Sequence, residues 1–300
     1  MDAPPKPWPT GLSEQCEPLV RRVLAPNASP YTFTGTQTYV VGAGDAVAVI
    51  DPGPAGTGAA GHADTRGDGH VGAIIAALGD ARLSAILCTH THRDHSPAAA
   101  ELKRLTGAQI IGCAPLMLED DGPRADAAFD PDYAPDRVLA DGEQLAGPDW
   151  TITAVATPGH TSNHLCYALE ESGALFTGDH VMAWSTSVVS PPDGDMAAYM
   201  ASLQKLYERG DTTYYPAHGP AVTRPRQLVR GMLGHRRSRE AQILRLLGEA
   251  PQPITDMVPV MYKGLDPRLN GAAGRSVLAH LIDLRHRGHV TSEGDTWQLT

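Results

Sequence analysis

Short apolar runs alternate with helical patterns through most of the chain, and glycine, proline or aspartate marks many of the junctions. Gln37 to Val41 and Ala46 to Ile50 are β-rich runs separated by Gly42-Ala43-Gly44-Asp45, which predicts a hairpin. Asp51-Pro52-Gly53 ends the second run. The Gly- and Ala-rich stretch that follows, to about Asp68, has too little apolar surface to form an element. Val71 to Leu78 reads as a helix and Ser84 to Cys88 as a buried strand. Ser96-Pro97 suits a helix cap with proline at the first helical position, the helix running on from Ala98 to Leu105.

Gln109 to Ile111 is a further strand, and the acidic stretch from Glu119 to Asp136 is loop-like. Strands resume at Thr151 to Ala156, Leu165 to Leu169 and Ala174 to Thr177; a helix from Ala197 to Glu208 precedes a last short strand at Thr213 to Tyr215. Strands alternating with helices predict an α/β protein with layered sheets. The proline-rich residues 1–30 are expected to wrap the surface.

After Pro220 the texture changes. Gln227 to Leu247 is a long Arg-rich helical pattern, followed by helices at Ile254 to Tyr262 and Ala272 to Arg287 and a hairpin at His289 to Leu299. Val277, Leu278, Leu281, Ile282 and Leu284 share one helical face. Two helices and a hairpin outline a winged helix. The expected domains are residues 1–220, an Arg-rich connecting helix at 221–250, and a winged helix at 251–300.

Composition narrows the function. A hydrophobic fraction of 42% and a charged fraction of 19% are ordinary for a globular protein. The N-terminus has no apolar core of a signal peptide and no run is long enough to span a membrane, so the expected location is cytoplasmic. Cys16, Cys88, Cys113 and Cys166 form no CxxC pair and read as buried free thiols. The net charge of −10 argues against a dedicated nucleic-acid binder. It is unevenly spread: residues 1–220 hold 12 Lys and Arg against 27 Asp and Glu, a net of −15, and residues 221–300 hold 12 against 7, a net of +5.

The chemistry sits where strands end. His90 and His92 are two apart on chain leaving a strand, so in extended conformation both rings point to one side. Asp94 and His95 follow at the mouth of a helix. Four potential ligands in six residues cannot all serve one tetrahedral ion. They suit two neighbouring ions, one taking His90 and His92, the other Asp94 and His95. His160, Asp179 and His218 each stand in a turn after a predicted strand, beside glycine or proline.

Imidazole with carboxylate suits zinc. Taken singly, each residue has a plainer reading: a buried histidine as hydrogen-bonded core, Asp94 as a helix cap, Asp179 as an Asx turn. The ordered set outweighs them. His164 and His180 lack the pattern and read as structural. His62, His70, His235, His280, His286 and His289 read as surface or packing residues.

The series His90-x-His92-x-Asp94-His95, Gly159-His160-Thr161, Gly178-Asp179 and Ala217-His218-Gly219 resembles the complete ligand set of the metallo-β-lactamase superfamily. Thr36-Gln37-Thr38-Tyr39 and Ile50-Asp51-Pro52-Gly53 resemble its early strands and first aspartate motif. The resemblance implies a four-layer αββα sandwich with two zinc ions at one edge of the sheets. One ion takes His90, His92 and His160, the other Asp94, His95 and His218, and Asp179 bridges them. Asp51 is a second-layer carboxylate that braces the ligand loop, or else a plain strand-ending turn.

Within the superfamily the chain is most similar to the β-lactamase-like protein 2 group, which shares glyoxalase II-like ligands and adds a C-terminal winged helix. It departs from that group at Gln37, often asparagine there, and at Ser96-Pro97-Ala98, which replaces a glycine-rich stretch.

The implied activity is hydrolysis by a hydroxide bridging the two metals, with Asp94 and Asp179 as candidate catalytic carboxylates. The substrate is an ester-like small molecule: a thioester, lactone, carboxylic ester or, as a side activity, a β-lactam. The alternative is cleavage of single-stranded RNA, with Arg230, Arg236 and Arg237 of the basic stretch as candidate phosphate contacts. A non-catalytic DNA-binding regulator is the weakest reading, since nothing in it requires placed metal ligands. No membrane partner is expected, and a homodimer is compatible with the sequence.

Overall fold

A computed structural model of the chain describes residues 8–56, 69–117 and 129–300. The chain divides into two compact units: Met1–Ala156, Asn163–Ser185 and Gly210–Thr223 form one, and Thr157–Ser162, Thr186–Arg209 and Arg224–Thr300 the other.

In the first unit the chain begins with β1 (Ser13–Glu17) and β2 (Val20–Leu24), then β3 (Gln37–Val41) and β4 (Ala46–Ile50). Helix α1 (His70–Leu78), β5 (Arg82–Cys88), helix α2 (Ala98–Thr106), β6 (Gln109–Gly112) and β7 (Arg137–Val138) follow. These strands make a seven-stranded sheet in chain order, antiparallel from β1 to β4 and parallel from β4 to β7. β8 (Gln144–Ala146), β9 (Thr151–Ala156), β10 (Leu165–Leu169), β11 (Ala174–Gly178) and β12 (Thr213–Pro216) make a five-stranded sheet in reverse order, with β11 and β12 parallel.

β3, β4, β10 and β11 are buried at every position. They are therefore apolar runs rather than alternating ones, as strands covered on both faces must be. One core joins the two sheets and their helices, with Val40, Ile86 and Leu102 meeting Ile152, Tyr167 and Phe176.

Three expectations change here. The segment expected to wrap the surface supplies β1 and β2 as an edge hairpin, where the half-buried Cys16 packs against the core rather than inside it. The short strands β7 and β8 were hidden because neither carries a run of apolar residues. Ser96 does not cap α2 with its side chain; its hydroxyl donates to Asp130 Oδ2 at 2.8 Å. The acidic stretch from Glu119 lies outside the described residues up to 128, as do His62 and most of the Gly/Ala-rich loop.

The second unit holds α3 (Met196–Glu208), α4 (Pro225–Glu249), β13 (Gln252–Pro253), α5 (Ile254–Met261), a 3-10 turn at Pro267–Leu269, α6 (Asn270–His286), β14 (Val290–Glu293) and β15 (Thr296–Leu299). Asp195 caps α3 by accepting from Ala198 N at 2.7 Å. β13, β15 and β14 form a small sheet beside α5 and α6, the helix–helix–hairpin expected of a winged helix. Ile243 and Leu247 of α4 share its core with Met257, Val277, Leu281 and Trp297.

Arg236 needs correcting as a phosphate contact. It is 2% exposed, its guanidinium donating to the Ser187 carbonyl and lying 5.1 Å from the Tyr199 ring centroid. It is spaced by seven from the buried Val229 and Ile243, so it falls on the apolar face of α4. Arg230 and Arg237 are exposed. Among the described residues no helix is long and apolar enough to cross a membrane.

Candidate metal centre

In the first unit, β4 runs parallel to β5 and β11 runs parallel to β12. Asp51 follows β4, the His90–His95 segment follows β5, Asp179 follows β11 and His218 follows β12. All leave the carboxyl ends of parallel strands, where α/β sheets present loops to a ligand. The two sheets are tied at this edge. Tyr39 donates to the Pro216 carbonyl at 2.7 Å, and Leu165 N to the Thr89 carbonyl at 2.8 Å.

The donor atoms converge. Those of His90, His92 and Asp179 lie within 4.8 Å of one another, as do those of Asp94, His95 and His218. His218 Nε2 is 3.2 Å from both Asp94 Oδ2 and Asp179 Oδ1. His95 Nε2 is 3.4 Å from Asp94 Oδ2 and 3.6 Å from Asp179 Oδ1, yet it is buried without a hydrogen bond. A buried imidazole nitrogen aimed between two carboxylates is a fitting donor for a cation. None of the four cysteines joins either group.

His160 belongs to the second unit, in the turn that follows β9. It is 9% exposed, and its Nδ1 is 2.6 Å from the Val188 carbonyl. That contact leaves Nε2 as the ring nitrogen able to reach a metal.

Electrostatics fit a site built for positive charge. Burial works against a charge on His218, but Asp179 and Asp94 outweigh it and raise the pKa to about 10. Burial likewise opposes charge on His95, and Asp94, Asp179 and Asp51 together raise it well above the usual histidine range. Burial would lift Asp94 and Asp179, but the two histidines hold both well below the ordinary carboxylate range. Without metal, protons on His95 and His218 balance the carboxylates, and a metal must displace them. Zinc titrated calorimetrically in buffers of different ionisation enthalpy is therefore expected to release roughly two protons per chain near neutral pH. Affinity should weaken as pH falls. Binding with no proton release would show that these nitrogens are not the ones displaced.

Asp51 holds the cluster from behind. Its carboxylate accepts from Thr89 N at 2.7 Å and Thr89 Oγ1 at 2.8 Å, and faces His95 Nδ1 at 2.9 Å. It does so from a left-handed backbone, φ 50°, which a non-glycine residue rarely adopts.

Three more supports lie outside the ligand series. Thr36 Oγ1 donates to Asp94 Oδ2 at 3.2 Å. Gln37, which departs from the group's usual asparagine, donates from Nε2 to the Pro216 and Gly219 carbonyls at 3.1 and 2.6 Å and so straps the turn that carries His218. His164, read as structural, is buried with its ring centroid 5.1 Å from that of His90. Gly178 accommodates it: a Cβ there would sit 2.7 Å from both His164 Nε2 and Thr89 Oγ1. His70 packs as expected, 2.7 Å from Thr38 Oγ1, with burial lowering its pKa to about 4.

Comparison with known proteins agrees with this geometry. A model of the metallo-beta-lactamase superfamily matches residues 31–218, and one of the beta-lactamase associated winged helix domain matches residues 254–297. The chain belongs to the metallo-β-lactamase superfamily and carries that winged-helix domain, as its ligand series implied. It is 33% identical over 239 residues to an atrochrysone carboxyl ACP thioesterase, dmxR1, of Cryptosporiopsis sp.; the match covers 78% of this chain and 64% of the relative, just under two thirds of its length.

It is also 31% identical over 289 residues to the beta-lactamase-like protein 2 homolog of Drosophila melanogaster, covering 90% of this chain and 89% of that one. In structure it is similar to a metallo-beta-lactamase family protein of Thermus thermophilus. That match has a TM-score of 0.74 at 22% identity and covers 95% of this chain and 100% of the other, which speaks for the fold alone. The chain is thus a member of this superfamily with a His/Asp cluster able to hold metal.

Proposed function

We propose that this protein is a dinuclear zinc hydrolase of ester-like bonds, with thioesters the first class to test. To one ion we assign His90, His92 and His160, to the other Asp94, His95 and His218, with Asp179 shared. The observation that carries this reading is the position of Asp179, whose carboxylate is grouped with His90 and His92 and also lies 3.2 Å from His218 Nε2. Nitrogen and carboxylate donors without thiolate favour zinc. The thioesterase named among the relatives, matched over part of its length, puts thioesters ahead of lactones, carboxylic esters and β-lactams.

When bound, such ions supply hydroxide at neutral pH and polarise the carbonyl under attack. The protein's own groups prepare the site. Asp179 fixes the spacing of the two ligand sets, Asp51 turns His95 Nε2 inward by holding Nδ1, and Thr36 fixes the oxygen that Asp94 presents. The burial of Arg236 removes one of the three candidate phosphate contacts of the RNA alternative.

The test is a panel of acyl thioester, lactone, aryl ester, β-lactam and single-stranded RNA, assayed with zinc-loaded protein after metal counting. The expected result is about two zinc ions per chain and thioester cleavage, lost on chelation and restored by zinc. Cleavage of RNA alone, or full activity with one ion, overturns the reading.

A further inference from the structure

Aromatic residues are scarce in this chain, 5% of the sequence. Yet in the first unit two half-buried rings stack beside a proposed ligand. Phe33 and Trp184 lie with centroids 4.8 Å apart and planes 15° from parallel. Both hang on segments that hold the centre. Trp184 follows Asp179 by five residues. Phe33 precedes Gly35, whose carbonyl is 3.2 Å from His218 Nδ1, and Thr36, which donates to Asp94.

The indole edge presses on the turn that carries His218. A Cβ built on Gly219, φ 86°, would lie 2.7 Å from Trp184 Cδ1 and 3.7 Å from Phe33 Cδ1. Phe33 itself has φ 57°, a conformation that is strained for a bulky side chain. A strained residue holds a part-exposed ring against a second ring, and both approach Gly219, the neighbour of the proposed ligand His218, which is the arrangement of a binding wall.

We infer that the Phe33–Trp184 stack is the subsite for the acyl group of the substrate and that it selects flat, aromatic acyl groups over small aliphatic ones. The inference deepens the proposed ester hydrolysis and rests on it for the reaction, though not for binding. A planar acyl group laid on the open part of this stack gains offset ring contact, which an acetyl group cannot make. The carbonyl it carries then lies toward the His218 turn.

The experiment compares kcat and KM for a benzoyl and an acetyl thioester of the same thiol, using the full zinc-loaded chain, Trp184→Ala, Phe33→Ala and Trp184→Phe. Calorimetric binding of a non-hydrolysable benzyl thioether analogue accompanies it. The expected result is a benzoyl preference that falls about tenfold in both alanine variants, the size of a lost aromatic contact with its buried area. The loss should appear mainly in KM, with Trp184→Phe keeping most of the preference and the analogue's binding weakening in parallel.

Thioester cleavage with no benzoyl preference, or with a preference the alanine variants keep, overturns the inference and leaves the hydrolase reading intact. If no ester-type substrate is cut but the analogue binds through Trp184, the hydrolase reading falls and the subsite stands. If the analogue binds neither the parent nor the variants, the subsite falls.

Discussion

Replacing Asp179 with asparagine is expected to lower kcat about a thousandfold, the order lost when one electrostatic stabiliser of a reacting centre is removed. The change keeps the shape of the side chain and removes its charge. In the present geometry that charge faces His218 Nε2 at 3.2 Å and His95 Nε2 at 3.6 Å, and it belongs to the donor group of His90 and His92. An amide is a weaker ligand on every side. The metal content of Asp179→Asn should fall toward one ion per chain, and its melting temperature without metal should drop, because two raised histidines lose one of their counter-charges. Parent-like turnover in the variant would remove the shared role of Asp179 and with it the case for two coupled ions.

The second large effect is expected at Asp51, which touches no reacting atom. Asp51→Ala strands three buried groups at once: Thr89 N, Thr89 Oγ1 and His95 Nδ1. Breaking such a buried charged contact costs about 3–5 kcal/mol. Loss of a carboxylate behind a ligating histidine costs about 10–100-fold in metal affinity. Chemical unfolding with metal removed measures the first effect, and competition with a chelator of known affinity the second. A purely structural aspartate, the strand-ending turn, would lower stability and leave zinc affinity alone. A bracing aspartate lowers both, with Asp51→Asn falling between because it keeps one acceptor for Thr89.

Much of this protein is legible without tertiary structure. The paired strands at Gln37–Val41 and Ala46–Ile50, the buried strand before His90 and the helix–helix–hairpin end are local patterns, fixed by the spacing of apolar residues and the turn residues between them. The candidate ligands were legible because their pattern is also local, histidine and aspartate in the turns that leave strands. The burial of Arg236 could have been read the same way, since the sevenfold spacing from Val229 to Ile243 puts it on the apolar face of α4.

Only the tertiary structure decides the rest. Which strands lie side by side is settled by pairing between distant segments, and that pairing together with the packing of the two sheets brings Asp51, His95, Asp179 and His218 to one edge. Thr36, Thr89 and Gln37 act through one or two hydrogen bonds each, to groups up to 182 residues away, and such contacts leave no periodicity. The ring of Trp184 meets Phe33 across 151 residues for the same reason. Sequence sets which groups can do chemistry, because side-chain type and turn propensity are local properties. Packing sets what braces them and what lies beside them, because a contact's energy depends on distance in space and not on position along the chain.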